Sequence, residues 1–206
     1  MKKWLEVDLK FDILVLVVTI TTTLLLMVDH YCTFTSVKEL DRFLLYLVIP
    51  VGIIMIGFRR KPSDFGFQLG DWRAGLVITL GAIILLAPVI WLATRLSTGM
   101  QAYYQGIGFS SQLILLTALE LLAWEFFFRG FMYFGYESAF GDHALWLQAV
   151  PFALAHISKP AVETFTTLFG GFLFAIVARR TRSFLYPFAI HVFVTLFTRI
   201  VALSLA

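Results

Sequence analysis

Seven apolar segments, each close to helix length, constrain the fold of this chain more than any other feature. A lipid hydrocarbon core needs about 20 apolar residues as a crossing helix, and it accepts backbone only where its polar groups are satisfied internally. The segments cover residues 11–28, 43–58, 74–95, 112–136, 144–158, 162–178 and 184–204. The sequence therefore predicts an all-α, polytopic membrane protein with about seven transmembrane helices, built as one domain over residues 1–206.

Composition supports this class and excludes others. Hydrophobic residues make up 60% of the chain and charged residues 14%, whereas a soluble domain is about one-quarter charged. The net charge of +3 is better explained by membrane topology than by nucleic-acid binding, which we exclude. Cys32 is the only cysteine, so neither an internal disulfide nor a cysteine-rich zinc site can form. We expect an integral protein of a bacterial plasma membrane.

The basic residues predict the orientation. With a cytoplasmic N-terminus, the inner segments carry ten Lys and Arg and the outer segments carry five, while Arg129 lies within the membrane. The positive-inside rule therefore favours a cytoplasmic N-terminus and an outer C-terminus. The inner residues are Lys2, Lys3, Lys10, Arg59, Arg60, Lys61, Arg73, Arg179, Arg180 and Arg182. The outer residues are Lys38, Arg42, Arg95, Lys159 and Arg199.

Three connecting or irregular regions are also predicted. The fifth apolar segment, 144–158, is short and contains Pro151, which favours a tilted or kinked helix. Residues 62–73 resemble a loop that lies along the membrane surface, and residues 96–110 resemble a polar outer loop near the lipid headgroups.

The ionisable residues within the apolar segments include Glu120, Glu125, Arg129, His156 and His191. A charge near the bilayer centre costs about 3 kcal/mol or more unless it is paired or faces water. A helical rise of 1.5 Å per residue lets the groups at 125, 156 and 191 meet near mid-membrane, toward the cytoplasm. These residues therefore predict one shared polar site.

The fourth apolar segment contains Glu125 and Arg129 at a spacing of four residues, so the two side chains share a helix face and can pair. The phenylalanines at 126–128 predict a dry wall beside this pair. The alternative is a buried ion pair that only holds helices together.

The fifth and seventh segments supply the imidazoles. Phe152 and His156 share one face, as do His191 and Thr195. The alternatives are histidines that serve only in packing and a threonine hydroxyl bonded to its own helix.

Two further acids and a glycine pair have structural alternatives. Glu120 shares the face of Trp124, and it is either a second acid of the site or an acid facing an outer cavity. Glu163 lies in the first turn of the sixth helix, where it interacts favourably with the helix dipole. Gly170 and Gly171 predict close packing between helices.

These segments, in this order, resemble the family of CAAX prenyl proteases and bacteriocin-processing enzymes (CPBP, also called Abi). The family motifs are Glu-Glu-x-x-x-Arg, Phe-x-x-x-His, and His-x-x-x-Asn or a similar polar residue. Their counterparts here are Trp124-Glu125-x-x-x-Arg129, Phe152-x-x-x-His156 and His191-x-x-x-Thr195. The resemblance covers about residues 110–204 and implies an intramembrane endopeptidase for a membrane-associated or lipid-modified protein or peptide. Two residues depart from the motifs: Trp124 replaces the first glutamate and Thr195 replaces the asparagine.

The resemblance leaves two chemistries open. A zinc enzyme would use Glu125, His156 and His191 as ligands with a water. A metal-free enzyme, which we favour because it needs only one carboxylate, would let Glu125 and His156 polarise the water. His191 with Thr195 would then stabilise the oxyanion, and Arg129 would orient Glu125. The Glu125 carboxylate is expected about 4–7 Å from the nearest imidazole nitrogen.

Two non-proteolytic functions remain as alternatives. A membrane scaffold or bacteriocin-immunity protein could keep the fold without catalysis, as the changes at Trp124 and Thr195 suggest. A transporter could use the polar groups as a proton relay. A protease requires a peptide or protein substrate in the lipid bilayer, with no nucleic-acid partner.

Overall fold

The computed structural model describes residues 9–206, and no β-strand occurs in this range. The predicted all-α class is confirmed. The topology residues Lys2 and Lys3 lie outside the described range. The α-helices are α1 (Ile13–Tyr31), α2 (Lys38–Phe43), α3 (Ile49–Gly52), α4 (Trp72–Leu96), α5 (Thr98–Ile107), α6 (Ser111–Glu125), α7 (Tyr133–Phe140), α8 (Ala144–Leu154), α9 (Ala161–Thr181) and α10 (Leu185–Ser204).

Six helical stretches among the described residues are long and apolar enough to cross a membrane. The difference from about seven arises because the predicted fourth and fifth spans lie within one helical stretch, Ser111–Leu154. Helix α8 has only 11 residues, or about 16 Å at the helical rise, and contains Pro151. It is therefore too short to span lipid alone, and it ends before His156, inside the predicted segment 144–158.

Close packing of α8 against α9 depends on Gly171. A Cβ at this position would lie 2.9 Å from a Phe152 ring carbon and 3.2 Å from the Ala149 Cβ. Gly170, by contrast, has nothing within 4 Å of such a Cβ. Only the second glycine of the pair therefore allows the predicted close approach.

Both predicted connecting regions are more ordered than a loop. In the segment 62–73, Pro62–Phe65 forms a 3-10 turn, and the Phe65 ring is buried and stacked on Phe131. In the segment 96–110, helix α5 replaces the expected outer loop, and Tyr104 is buried within the bundle instead of lying among headgroups. Phe65 and helix α5 therefore pack against the bundle, whereas residues 67–73 are exposed, as expected for a loop along the membrane surface.

The two ends of the bundle differ in charge and are separated by the 21 residues of α9, about 30 Å. One end carries the arginine-rich turn 179–182 at the C-terminal end of α9, which makes ion pairs with acids of neighbouring segments. These pairs are Arg179–Asp142 at 2.5 Å, Arg180–Asp71 at 2.7 Å and Arg182–Glu137 at 2.7 Å. The other end contains the connection 32–37, helix α5 and the turn 155–160.

The predicted orientation can be tested with the single native cysteine. Cys32 is exposed at the end of α1 that lies away from the arginine-rich turn. If that turn is cytoplasmic, a membrane-impermeant maleimide will label Cys32 in intact cells.

A matched control places a thiol at the other end. Ser138 is exposed and adjoins Glu137, the partner of Arg182. In a Cys32→Ala background, Ser138→Cys should be labelled only after the membrane is opened. The reverse pattern would show the opposite orientation.

Candidate active site

Glu125 is the last residue of α6 and has no exposed surface. Its Oε1 accepts one hydrogen bond from Nδ1 of His191 at 2.6 Å and another from Nη1 of Arg129 at 3.1 Å. Its Oε2 is buried and has no hydrogen-bond partner within the described part of the chain. The carboxylate therefore contacts an imidazole directly, at a shorter distance than the predicted 4–7 Å.

A π-helical segment, Phe126–Met132, begins immediately after Glu125, and all of its residues are buried. Such widened turns interrupt α-helices most often at functional sites. The rings at 126, 127 and 128 have no exposed surface, so they keep water away from this side of the carboxylate.

Arg129 is also fully buried, and aromatic rings surround its guanidinium. Its Cζ lies 3.8 Å from the Phe152 ring centroid and 5.1 Å from that of Phe174. Nε and Nη2 have no hydrogen-bond partner among the described residues. The cation is therefore held by one charged hydrogen bond and by ring faces, which attract cations electrostatically.

His191 lies on α10 and is 9% exposed. Because an ionised carboxylate can only accept, Nδ1–H of His191 donates to Glu125. This bond fixes the ring orientation and leaves the lone pair on Nε2. The arrangement can therefore supply a base whose ring is oriented by the carboxylate behind it.

His156 lies in the turn after α8, and its ring is 6.4 Å from that of His191, centroid to centroid. Its Nδ1–H donates to the Phe152 carbonyl oxygen at 2.7 Å, which leaves Nε2 as an acceptor. The Thr164 hydroxyl donates to the His156 carbonyl oxygen at 2.6 Å and fixes the turn. The structure therefore presents two imidazoles with free Nε2 atoms on one site.

A cavity of about 330 Å³ lies between these imidazoles and the end of the bundle away from the arginine-rich turn. His156, His191 and Thr195 line it, whereas Glu125 and Arg129 lie behind its wall. The lining also includes residues of α2, α5 and the turn 155–160, which the predicted topology places on the outer side. Water is expected to reach such a site from the cytoplasm or between spans, and this lining differs from the first of these routes.

Thr195 lies one turn beyond His191 on α10 and is partly exposed to the cavity. No hydrogen bond from its hydroxyl to the preceding helical turn is found, although Thr198 makes one to Val194 at 2.7 Å. The Thr195 hydroxyl therefore remains available as a donor to a ligand.

Trp124 occupies the position of the family's first glutamate and is 7% exposed at the cavity wall. Its ring lies 5.3 Å from His156 and 5.7 Å from Tyr46, measured between centroids. Its indole Nε1–H is buried without a hydrogen-bond partner in the range 9–206. An aromatic surface thus replaces the carboxylate at this position.

Glu120 lies one turn before Trp124 and also lines the cavity. Its Oε1 accepts a hydrogen bond from Nη1 of Arg42. Nε of the same arginine lies 3.2 Å from Oδ1 of Asp29. The acid therefore faces the cavity as a member of an ion pair, about 6 Å along the helix from position 124.

The cavity lining includes cations that were not predicted as part of the site, Arg42, Lys159 and Arg199, and Tyr104 contacts the lining residue Glu163. Tyr104 donates to Oε2 of Glu163 at 2.7 Å, and Lys159 lies 3.6 Å from Oε1 of the same carboxylate. The basic residues were interpreted only as topology signals. Arg199 had a detectable signal, because it lies within the apolar segment 184–204.

The proposed zinc ligands do not fit one ion in this arrangement. Within residues 9–206 no group of three or more His, Cys, Asp and Glu side chains is placed to hold a metal. Oε1 of Glu125 is shared by His191 and Arg129, and this buried carboxylate does not line the cavity that the two histidines face, so it is not placed as a third ligand beside their Nε2 atoms. A zinc ion needs its ligand atoms at about 2.0–2.2 Å.

Comparison with protein families gives one match. The family model described as "Rce1-like: Type II CAAX prenyl endopeptidase Rce1-like" matches residues 106–197, a little under half of the chain. Curated proteins and solved structures give no match. The matched range includes all three motifs, so the predicted resemblance to CAAX prenyl proteases is confirmed, and residues 106–197 are similar to the Rce1-like endopeptidases.

Proposed function

We propose that this protein is an intramembrane endopeptidase that hydrolyses a membrane-associated or lipid-modified protein or peptide in a bacterial plasma membrane. The Rce1-like match supports a CAAX-type protease. The observation that carries the proposed mechanism is the 2.6 Å hydrogen bond between Glu125 and His191, beside a polar cavity shared with His156.

His191 is the proposed general base. Glu125 has no exposed surface and does not line the cavity, so in this arrangement it acts on His191 instead of on the water. By accepting from Nδ1–H it holds the Nε2 lone pair in place and stabilises the imidazolium that forms. Glu125 is thus a positioning residue, and Arg129 in turn holds Glu125.

The side chains at the cavity can carry every proton transfer that hydrolysis of the peptide bond requires. His191 Nε2 takes a proton from water as the oxygen attacks the peptide carbonyl carbon, and His156 Nε2 accepts the other water hydrogen bond and orients the nucleophile. The Thr195 hydroxyl donates to the carbonyl oxygen as it becomes negative. His191 then gives its proton to the leaving amine as the peptide C–N bond breaks.

A non-catalytic membrane scaffold is the second candidate. One observation favours it: Trp124 fills the position of the family's first glutamate and contacts the His156 ring. A scaffold needs the fold but neither imidazole. The two functions therefore differ in whether any peptide product forms.

The test uses the full-length protein in lipid nanodiscs with a farnesylated peptide that ends in a cysteine-aliphatic-aliphatic-X sequence. Product is identified by mass spectrometry. Cleavage by the purified protein supports the endopeptidase. Intact peptide after prolonged incubation, with a protein that unfolds cooperatively on heating, would favour the scaffold.

Metal dependence is tested on the same preparation. We expect hydrolysis to be unchanged after treatment with a zinc chelator and dialysis, because Glu125, which a zinc site would need as its third ligand, is buried outside the cavity and bonded to His191 and Arg129. Zinc content and activity are measured together. Stoichiometric zinc that is lost in parallel with activity, and restores it when added back, would overturn the metal-free mechanism.

A further inference from the structure

Arg199 is a buried cation at the cavity, and within residues 9–206 it forms no ion pair. It lies on α10, is 5% exposed and lines the cavity. Its Nε and Nη1 are buried without any hydrogen-bond partner in the described part of the chain. A buried charged donor without an acceptor is costly, so its presence at a cavity wall points to a ligand that supplies the acceptor.

The other cations of the cavity are already paired. Arg42 pairs with Glu120, and Lys159 pairs with Glu163, which also accepts from a tyrosine hydroxyl. These contacts largely neutralise two of the three acids that line the cavity. The third, Glu39, forms no ion pair within the described chain. Arg199 is therefore the lining cation best placed to take an anion from outside.

We propose that Arg199 binds the C-terminal carboxylate of the peptide substrate. Nη2 of Arg199 is the guanidinium nitrogen that is not buried, and no acceptor for it is found among the described residues, so it can donate a charge-assisted hydrogen bond to a carboxylate in the cavity. The inference rests on the proposed function, since it names the end of the substrate that enters the same cavity.

The spacing along α10 predicts where the chain is cut. His191, Thr195 and Arg199 recur every four residues and share one face, and 191 and 199 are about 12 Å apart along the axis. An extended peptide advances about 3.3–3.6 Å per residue. A carboxylate at Arg199 thus places a carbonyl about three to four residues upstream beside His191.

The test compares the farnesylated peptide with a free C-terminal carboxylate and the same peptide with a C-terminal amide. Wild-type protein should cleave the acid with about 10- to 100-fold higher kcat/KM, the range expected for hydrogen bonds to a charged group. In Arg199→Met, of similar length and apolar, the two peptides should differ by less than about threefold. Arg199→Lys should keep part of the preference.

A binding measurement separates this proposal from the proposed function. The two peptides are titrated, with a fluorescent label, into His191→Gln and into the double variant that also carries Arg199→Met. If the peptide with a free carboxylate binds more tightly than the amide only when Arg199 is present, the result supports carboxylate binding by Arg199, even where no turnover is found. Equal binding of acid and amide in the presence of Arg199 would overturn it. Adding two residues to the C-terminus of the peptide should move the cleaved bond two residues toward the new end. Cleavage at the original bond would also overturn the proposal.

Discussion

His191→Gln is expected to lower peptide hydrolysis by about 100- to 10,000-fold, the range for removal of a general base. A glutamine amide at 191 can still donate to the Glu125 carboxylate, as the Nδ1–H of His191 does at 2.6 Å. It cannot take a proton from water. Initial rates with the farnesylated peptide, measured at equal protein concentration, give the loss.

The matched control for this variant is His143→Gln. His143 is exposed in the turn Gly141–His143, at the end of the bundle away from the cavity. This substitution should leave the rate within about twofold, as expected for a surface change distant from the site. A His191→Gln protein that keeps more than one-tenth of wild-type activity would contradict the role of general base.

His156→Gln should have a smaller effect than His191→Gln. His156 orients water but has no carboxylate behind its ring, because its Nδ1–H is bonded to the Phe152 carbonyl oxygen. Comparable losses for the two variants would mean that both imidazoles take part in proton transfer. The same rate assay distinguishes the two outcomes.

The fold class could be predicted because lipid leaves few options for backbone. The length of each apolar segment was enough to predict a helix there, and the structure has a helix at or near every predicted segment. It could not show that residues 98–107 form a helix, since that segment is polar and has no long apolar run. The start of α5 depends on the Ser97 hydroxyl, which accepts from the Met100 N–H at 3.3 Å, a local contact that hydropathy does not register.

The site was predicted only in part for a related reason. Spacing within one helix indicates which residues share a face, so Glu125 and Arg129 could be paired from the sequence. It does not indicate which face meets another helix. The direct bond from Glu125 to His191, the exclusion of Glu125 from the cavity and the inward position of Arg199 all depend on how α6 and α10 pack.

The pair of Glu125 and Arg129 gives the second large expected effect, on stability. Both side chains have no exposed surface and lie 3.1 Å apart. Glu125→Gln leaves a buried cation without its counter-ion, and Arg129→Met leaves a buried carboxylate without one. Each single variant should lose about 3–5 kcal/mol of unfolding free energy. Titration with a denaturing detergent, followed by circular dichroism, measures the loss.

The double variant separates structure from catalysis. Glu125→Gln with Arg129→Met removes both charges, so it should recover most of the lost stability, with a coupling energy of about 2 kcal/mol or more. Additive losses would show that the charges do not interact. Hydrolysis should stay low in the double variant, because His191 still lacks the carboxylate that stabilises its protonated ring. Recovery of activity together with stability would instead mean that the pair only holds helices in place.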